Sequence, residues 1–489
     1  MNINASTLLF FIELFYVFFC IIVCIQIIKD TRSTSKTLAY LLLVFFVPVF
    51  GILFYFLFGI NYRKRKIYSK KISADSLLLN KLKSDLLDLQ KDSTLQQNTS
   101  VIHNKELIRL LANRKTDGAP IFPKNDIQLL INGENFFPPL IEALQNAKSH
   151  IHIEFYIFEN DVIGNKIKEI LLQKAKEGVE VRFIYDDYGS RGIRKNIVKE
   201  LIAGGVKAFP FNEIRFIYLA NRINYRNHRK IVIVDGTISF VGGINVSDKY
   251  INGYKNKLFW RDTSIRIEGY ATYGLQQVFI ADWNFCSNEN LQITSNYFPT
   301  IKPKEQSKAV VQIVSNGPDS EIPSILYSII QAINLAEQEI LITTPYYIPE
   351  SSLQEALIIA ALSGIEVKML VPKHADSKIV NIATQSYFDD LLRAGVRIFQ
   401  YDKGFVHAKT FVTDRKLVSV GTANLDLRSF DLNFEVNAII YDEKTAIELA
   451  EIFDKDLEHA IQINYSKWRK RNRIRKFIER ITRLLSPFL

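Results

Sequence analysis

The 489 residues carry 62 Lys and Arg against 51 Asp and Glu, a formal net charge of +11 with a pI near 9.2. That length suffices for two ordinary domains, and three cysteines, Cys20, Cys24 and Cys286, supply neither a disulfide framework nor zinc-site spacing. The basic balance calls for an anionic partner without choosing between nucleic acid and an anionic lipid surface.

Two apolar runs come first, Leu8 to Ile28 with 21 residues and Leu38 to Ile60 with 23. Each is long enough to cross a ~30 Å hydrocarbon core as a helix. The first carries Glu13 alone and the second no charge, while Pro48, Gly51 and Gly59 can kink it or allow close helix approach. Met1 to Thr7 lacks the basic residues of a signal peptide, and only Lys29 to Thr37 joins the runs, so residues 1–60 read as a transmembrane helical hairpin. Arg63, Lys64, Arg65, Lys66, Lys70 and Lys71 follow the second run, against Lys29, Arg32 and Lys36 in the loop. The positive-inside bias therefore predicts a multi-pass, membrane-embedded protein with its main body in the cytoplasm.

Residues 61–120 are charged, with leucine clusters at 77–79 and 86–87, and read as a helical connector. After it the chain repeats itself. The first copy predicts a helix over Leu140 to Lys148, a strand over Ile151 to Phe158, a helix over Asn165 to Gly178 and a strand over Val179 to Tyr185. The second predicts the same series over Ser324 to Ala336, Glu339 to Thr344, Leu353 to Gly364 and Ile365 to Val371. Gly178 and Gly364 stand where left-handed caps would stop the paired helices. Gly205 and Gly395 form a second echo, and the two glycine spacings are 186 and 190 residues. The fold class is therefore α/β, with one domain over 121–300, another over 301–466, and a largely buried sheet in each.

Each copy then presents H-x-K-x4-D: His228, Lys230 and Asp235 in the first, His407, Lys409 and Asp414 in the second, 179 residues apart. Gly242-Gly243-Ile244-Asn245 follows the first and Gly421-Thr422-Ala423-Asn424 the second. On β-type sequence a His and a Lys two apart share a face. One such motif is weak, since His and Lys on a strand are usually surface or packing residues. Phosphodiester chemistry needs a nucleophile, a positive charge at the non-bridging oxygens and an acid for the leaving alkoxide. Two copies facing each other across a pseudo-twofold axis would bring two His, two Lys and two Asn to one phosphate.

These residues resemble the paired signature of the phospholipase D superfamily, and the resemblance covers both domains. It implies two phospholipase D-like α/β domains, a covalent phosphohistidine intermediate, and no cofactor or metal. It further implies that Asn245 and Asn424 bind the phosphoryl oxygens. An acidic residue about thirty positions after each motif His is expected to orient its imidazole, and Asp262 and Glu435 match. Asp235 and Asp414 are expected to support the motif loop more than to touch substrate. His150 and His152 form an H-x-H pair with no third ligand nearby, and packing is preferred to metal binding.

Superfamily membership leaves the substrate open, and the flanks decide. Within 467–489, Ile474, Phe477, Ile478, Ile481, Leu484, Leu485 and Phe488 make one apolar stripe on a basic helix, the pattern of a segment lying on an anionic leaflet. Phe58-Gly59-Ile60-Asn61, Glu154 to Phe158, Thr344 to Pro349 and Leu484 to Pro487 are similar to segments of bacterial cardiolipin synthases. That resemblance implies transfer of a phosphatidyl group between two phosphatidylglycerol molecules, releasing glycerol. It also implies location in the bacterial inner membrane, anionic lipids as partners and no nucleic acid. A phospholipase D using water as acceptor, a membrane-bound nuclease and a lipid-binding adaptor are the alternatives.

Overall fold

The computed structural model describes residues 5–30, 34–56, 95, 97–113, 118–213, 225–253, 258–287 and 289–486. The first apolar run forms one helix, α1 (Ala5–Asp30), and its stretch Phe10–Lys29 is long and apolar enough to cross a bilayer. The second run does not form the continuous span expected of it. Pro48 has no N–H to offer the preceding turn, and the chain breaks at Val47 into α2 (Thr34–Phe46) and α3 (Pro48–Phe54). At 13 residues α2 is about 20 Å long, short of a bilayer. α3 folds back along it: the Tyr40 and Tyr55 rings lie 5.6 Å apart, whereas a straight helix would separate those positions by about 22 Å. Gly51 permits the approach, because a Cβ there would stand 2.5 Å from the Leu43 carbonyl oxygen. Arg32, Gly59, the basic cluster at 63–71, the leucine clusters of the connector and Phe488 lie outside the described residues.

The first half supplies β1 (Ile121–Ile131), β2 (His150–Phe155), β3 (Glu180–Asp186), β4 (Lys207–Phe211), β5 (Lys230–Val234), β6 (Ile238–Gly242), β7 (Phe259–Arg261) and β8 (Thr263–Gly269). The second supplies β9 (Ala309–Asn316), β10 (Glu339–Thr343), β11 (Tyr347–Ile348), β12 (Glu366–Pro372), β13 (Arg397–Tyr401), β14 (Gly404–Val406), β15 (Thr410–Thr413), β16 (Leu417–Gly421), β17 (Leu425–Asp426), β18 (Glu435–Tyr441) and β19 (Ala460–Gln462). Helices Asn132–Asn146 and Val162–Lys176 flank β2, and Ser324–Leu335 and Ser351–Leu362 flank β10. The caps are as expected. Gly178 and Gly364 take φ of 88° and 94°, and the next residues, Val179 and Ile365, donate back to the Lys174 and Ala360 carbonyls at 3.0 and 3.1 Å.

The two separate sheets expected from the sequence are in fact one. Fifteen strands run β19-β13-β12-β10-β15-β16-β18-β9-β1-β8-β6-β5-β2-β3-β4, with β1 and β9 antiparallel neighbours at the centre. Neither central strand was predicted. β1 carries Lys124, Asn125 and Asp126 mid-strand, where alternation fails and the register shifts. The Asn125 amide there donates to the Phe122 and Ala309 carbonyls and accepts from the Ala271 N–H. On one face a single core draws Ile265, Phe279 and Trp283 from the first half and Val418, Val436 and Phe453 from the second. The other face carries a separate core under the helices of each half. His150 and His152 pack as expected, the His152 ring stacked on Phe279 at 4.5 Å and bonded to Gln276.

Asp235 and Asp414 lie at the far end of their strands, about 16 Å of extended chain beyond Lys230 and Lys409, and neither lines the cavity that holds the histidines. Each sits at positive φ, 51° and 50°, in the turn that ends its strand. The Asp235 carboxylate accepts from the N–H groups of Lys148, Ser149 and His150, and Asp414 from those of Glu337, Gln338 and Glu339. Both thus clamp the helix-to-strand turn that starts β2 or β10. Stranding three part-buried donors should cost roughly 3 kcal/mol, at about 1–3 kcal/mol for each fully buried one. Asp414→Ala should therefore lower the Tm by several degrees yet keep most of its activity well below that midpoint. An inactive variant with unchanged Tm would contradict the assignment.

Candidate active site

Each motif histidine precedes its strand on an extended segment that pairs with the opposite half. The His228 N–H donates to the Phe434 carbonyl at 2.9 Å, and the Phe434 N–H returns a bond to the Arg226 carbonyl at 2.8 Å. In the other half β14 pairs in parallel with β7, and the His407 N–H donates to the Arg261 carbonyl at 2.7 Å. Phe434 and Arg261 each stand one residue before the expected acid. The backbone pairing therefore delivers each acid to the histidine of the other half.

The carboxylates are exchanged relative to the simplest reading of the spacing. Glu435 Oε2 meets His228 Nδ1 at 3.0 Å, and Asp262 Oδ2 meets His407 Nδ1 at 2.8 Å. Both acids are fully buried. With Nδ1 directed at a carboxylate, each ring leaves Nε2 for chemistry. The glycine-rich sequences make room for this. A Cβ on Gly243 would come 2.0 Å from Asp262 Oδ1, whereas Thr422, at the matching position, donates its hydroxyl to Glu435 at 2.5 Å.

Burial holds both imidazoles neutral. His228 is pulled down to about 4 by desolvation and the Lys230 and Lys409 charges, against the pull of Glu435. His407 is lowered well below its ordinary value by burial and then by the same two lysines. Burial also lowers the ammonium groups, Lys230 to about 7 and Lys409 to about 8. Asp262 is raised by burial to about 6, while in Glu435 the neighbouring His228 and Lys230 overcome burial and lower it. Lys230 Nζ donates to the His228 carbonyl at 2.6 Å, and Lys409 Nζ lies 3.0 and 3.1 Å from the His407 ring nitrogens. Asn245 holds the Ile157 N–H at 3.1 Å and the Tyr250 hydroxyl at 2.6 Å, and Asn424 keeps a buried amide oxygen without a partner.

His228, His407, Asn245 and Asn424 line one cavity of about 460 Å³. Two imidazoles and two amides line one space, with the Lys230 and Lys409 ammoniums beside the histidines, a set that fits a phosphoryl group attacked from one side and released on the other. The cavity wall also contains Tyr156, Arg226, Lys249, Trp260, Tyr346, Asp376 and Arg428, none of which the motif spacing singled out as site residues. Tyr156 packs edge-on to His228 at 4.9 Å, and Trp260 and Phe405 pack on His407 at 5.6 and 5.8 Å. Tyr156 and Tyr346 lie within sequence segments quoted above, but only the fold shows that they line the cavity of the histidines. Arg229, which separates His228 from Lys230, is buried with its Nη1 bonded to both oxygens of Asp282, and its Nε donates to the Glu435 carbonyl at 3.1 Å, bracing the segment that carries the acid.

The family model described as "Cardiolipin synthase, PLD-like domain" matches residues 140–283 and 329–457, and one described as phospholipase D-nuclease N-terminal matches 16–59. The major cardiolipin synthase ClsA of Bacillus subtilis is 42% identical over 485 residues, 98% of each chain. A cardiolipin synthase of Listeria welshimeri is 40% identical over 95% of this chain and 96% of its own. The crystal structure of phosphatidylserine synthase from Haemophilus influenzae superposes with a TM-score of 0.59 at 13% identity, covering 77% of this chain and 99% of that one, and so shares the fold. Family-model matches in both halves, together with relatives aligned over almost the whole length, establish that the chain belongs to the cardiolipin synthases of the phospholipase D superfamily.

Proposed function

We propose that the chain joins two phosphatidylglycerol molecules into cardiolipin with release of glycerol, and that its two halves act as an approximately twofold pair around one phosphate. The observation that carries this is the reciprocal His228–Glu435 and His407–Asp262 pairing at a shared cavity. His228 Nε2 attacks phosphorus, the bond to the head-group oxygen breaks, and His407 gives that oxygen its proton. The terminal hydroxyl of a second phosphatidylglycerol then passes its proton to His407 and displaces His228. Lys230, Lys409, Asn245 and Asn424 hold the non-bridging oxygens. The ionised Glu435 favours His228 as nucleophile, and Asp262, near 6, suits a partner that shares a proton with His407. A phosphodiester anion between the lysines offsets the charges that keep His407 neutral, which ties its protonation to substrate binding.

Membrane placement follows from three surfaces. α1 crosses the bilayer, and α2 with α3 forms a re-entrant hairpin that leaves on the side it entered. The basic residues at 29–36 and those at 63–71 then share the cytoplasmic side with the catalytic body. The C-terminal helix Arg473–Leu484 docks through its polar face, with Arg475 donating to the Gln385 side-chain oxygen at 2.7 Å and Arg483 over the Tyr387 ring. Its apolar stripe stays open, Ile474 68% and Leu484 73% exposed. Helix Lys378–Gln385 packs against it, leaving Ile379 exposed while Val380 lines the cavity, so the mouth of the site opens beside the surface that would lie on lipid.

With phosphatidylglycerol in mixed micelles, the wild type should release cardiolipin and glycerol, and His228→Ala and His407→Ala should each lower turnover by at least 1,000-fold with Tm preserved. Release of phosphatidic acid in place of cardiolipin would mean a hydrolase. Because the lysines lose charge as pH rises, kcat/KM should fall through pH 7–8, and Lys409→Arg should move that limb upward. A limb that stays put would deny the lysines this role. For topology, single cysteines replacing Ser6, Ser33 or Ser69 in a cysteine-free chain can be probed with an impermeant maleimide on intact cells. Labelling at 6 alone fits the re-entrant arrangement, whereas labelling at 33 alone requires two full crossings.

A further inference from the structure

Joining two phosphatidylglycerols brings two phosphodiesters into one cavity, yet the paired imidazoles can act on only one phosphorus. Arg226 stands beside them. It is 4% exposed, lines the cavity, and neither terminal guanidinium nitrogen has a hydrogen-bond partner. Its position is fixed without using those donors. Its guanidinium lies over the Tyr188 ring at 4.5 Å and 3.8 Å from Asp186, whose oxygens are taken by the N–H groups of Tyr188, Gly189 and Asn227 at 3.0, 2.8 and 3.0 Å. Arg428, from the short helix Leu427–Asp431, shares the cavity wall, and its charge bears on Arg226.

We propose that Arg226, with Arg428, binds the phosphodiester of the acceptor phospholipid, an assignment that rests on the phosphatidyl-transfer reading above. The buried Arg226 guanidinium, with both terminal nitrogens open, suits a bidentate oxyanion, and the Arg428 charge on the same wall adds to the attraction. The spacing fits as well. Arg226 and His228 lie two residues apart on the extended segment pinned by Phe434, so their side chains share a face about 6.6 Å apart at the backbone. Six single bonds through a three-carbon bridge join the phosphorus atoms of the product, a span of the same order. The site is single. The residue matching Arg226 in the second half is Phe405, whose ring packs on Trp260 at 4.9 Å.

The test compares two reactions of the detergent-solubilised full chain: cardiolipin synthesis, whose acceptor bears a phosphate, and exchange of labelled glycerol into phosphatidylglycerol, whose acceptor does not. Arg226→Gln should lower the ratio of synthesis to exchange at least tenfold, and Arg226→Lys should recover part of it. Arg428→Gln should move the ratio the same way and serves as the second probe if Arg226→Gln fails to fold. Millimolar inorganic phosphate should inhibit synthesis more than exchange. An unchanged ratio, or equal loss of both reactions in folded protein, overturns the proposal, as does stimulation of both by inorganic phosphate, which would make the occupant a free anion. A wild type that exchanges glycerol but makes no cardiolipin overturns the underlying reading instead.

Discussion

Two short backbone pairings between the halves govern the rest of the site. His228 bonds to the carbonyl before Glu435, and His407 to the carbonyl before Asp262. Because the bonds are reciprocal, neither half contains a finished histidine–carboxylate pair, and each needs the other's chain at hydrogen-bond distance. The shared core and the β1–β9 junction supply the rigidity this demands. Separating the halves would remove the orientation of both imidazoles at once, along with the common wall of the cavity.

That arrangement is costly in water-free surroundings. Two carboxylates, two ammoniums and two imidazoles are all buried, and desolvation prevails in shifting all of them toward the neutral form except Glu435, where the neighbouring His228 and Lys230 outweigh it. Such a cluster is poorly optimised for stability and well suited to receiving an anion, which restores the charge balance that burial upsets. The same holds for Arg226, whose buried terminal nitrogens are donors without partners among the described residues. Stability is provided elsewhere: by the aspartate clamps at the far strand ends, by the glycine caps, and by the Arg229–Asp282 and Arg261–Asp456 ion pairs behind the site.

The surfaces beyond the core share a common orientation in chemical terms. The apolar stripe of the C-terminal helix and the exposed side of helix Lys378–Gln385 adjoin the wall that Val380 lends to the cavity. A lipid substrate keeps its acyl chains in hydrocarbon while its head group reaches the histidines, so a site opening beside an apolar surface lowers the cost of extracting it. The break at Pro48 leaves a second apolar segment, α2 and α3, too short in either piece to span a bilayer.

What the sequence determined by itself is local and repeated. Glycines that stop helices, alternating strands and the doubled H-x-K-x4-D are written in short windows, and the caps at Gly178 and Gly364 and the convergence of His228 with His407 follow from them. The acids at 262 and 435 were legible as residues, but not their exchange, because spacing along one chain says nothing about which imidazole lies nearer in space. β1 and β9 were invisible because polar side chains interrupt their alternation, and those side chains make sense only against the neighbouring strand. The second apolar run looked continuous because composition does not report one missing N–H. Arg226 gave no signal beside a stronger motif. Its meaning comes from burial, from donors without partners and from a second positive charge brought in by the other half, all properties of packing, which only the tertiary structure could decide.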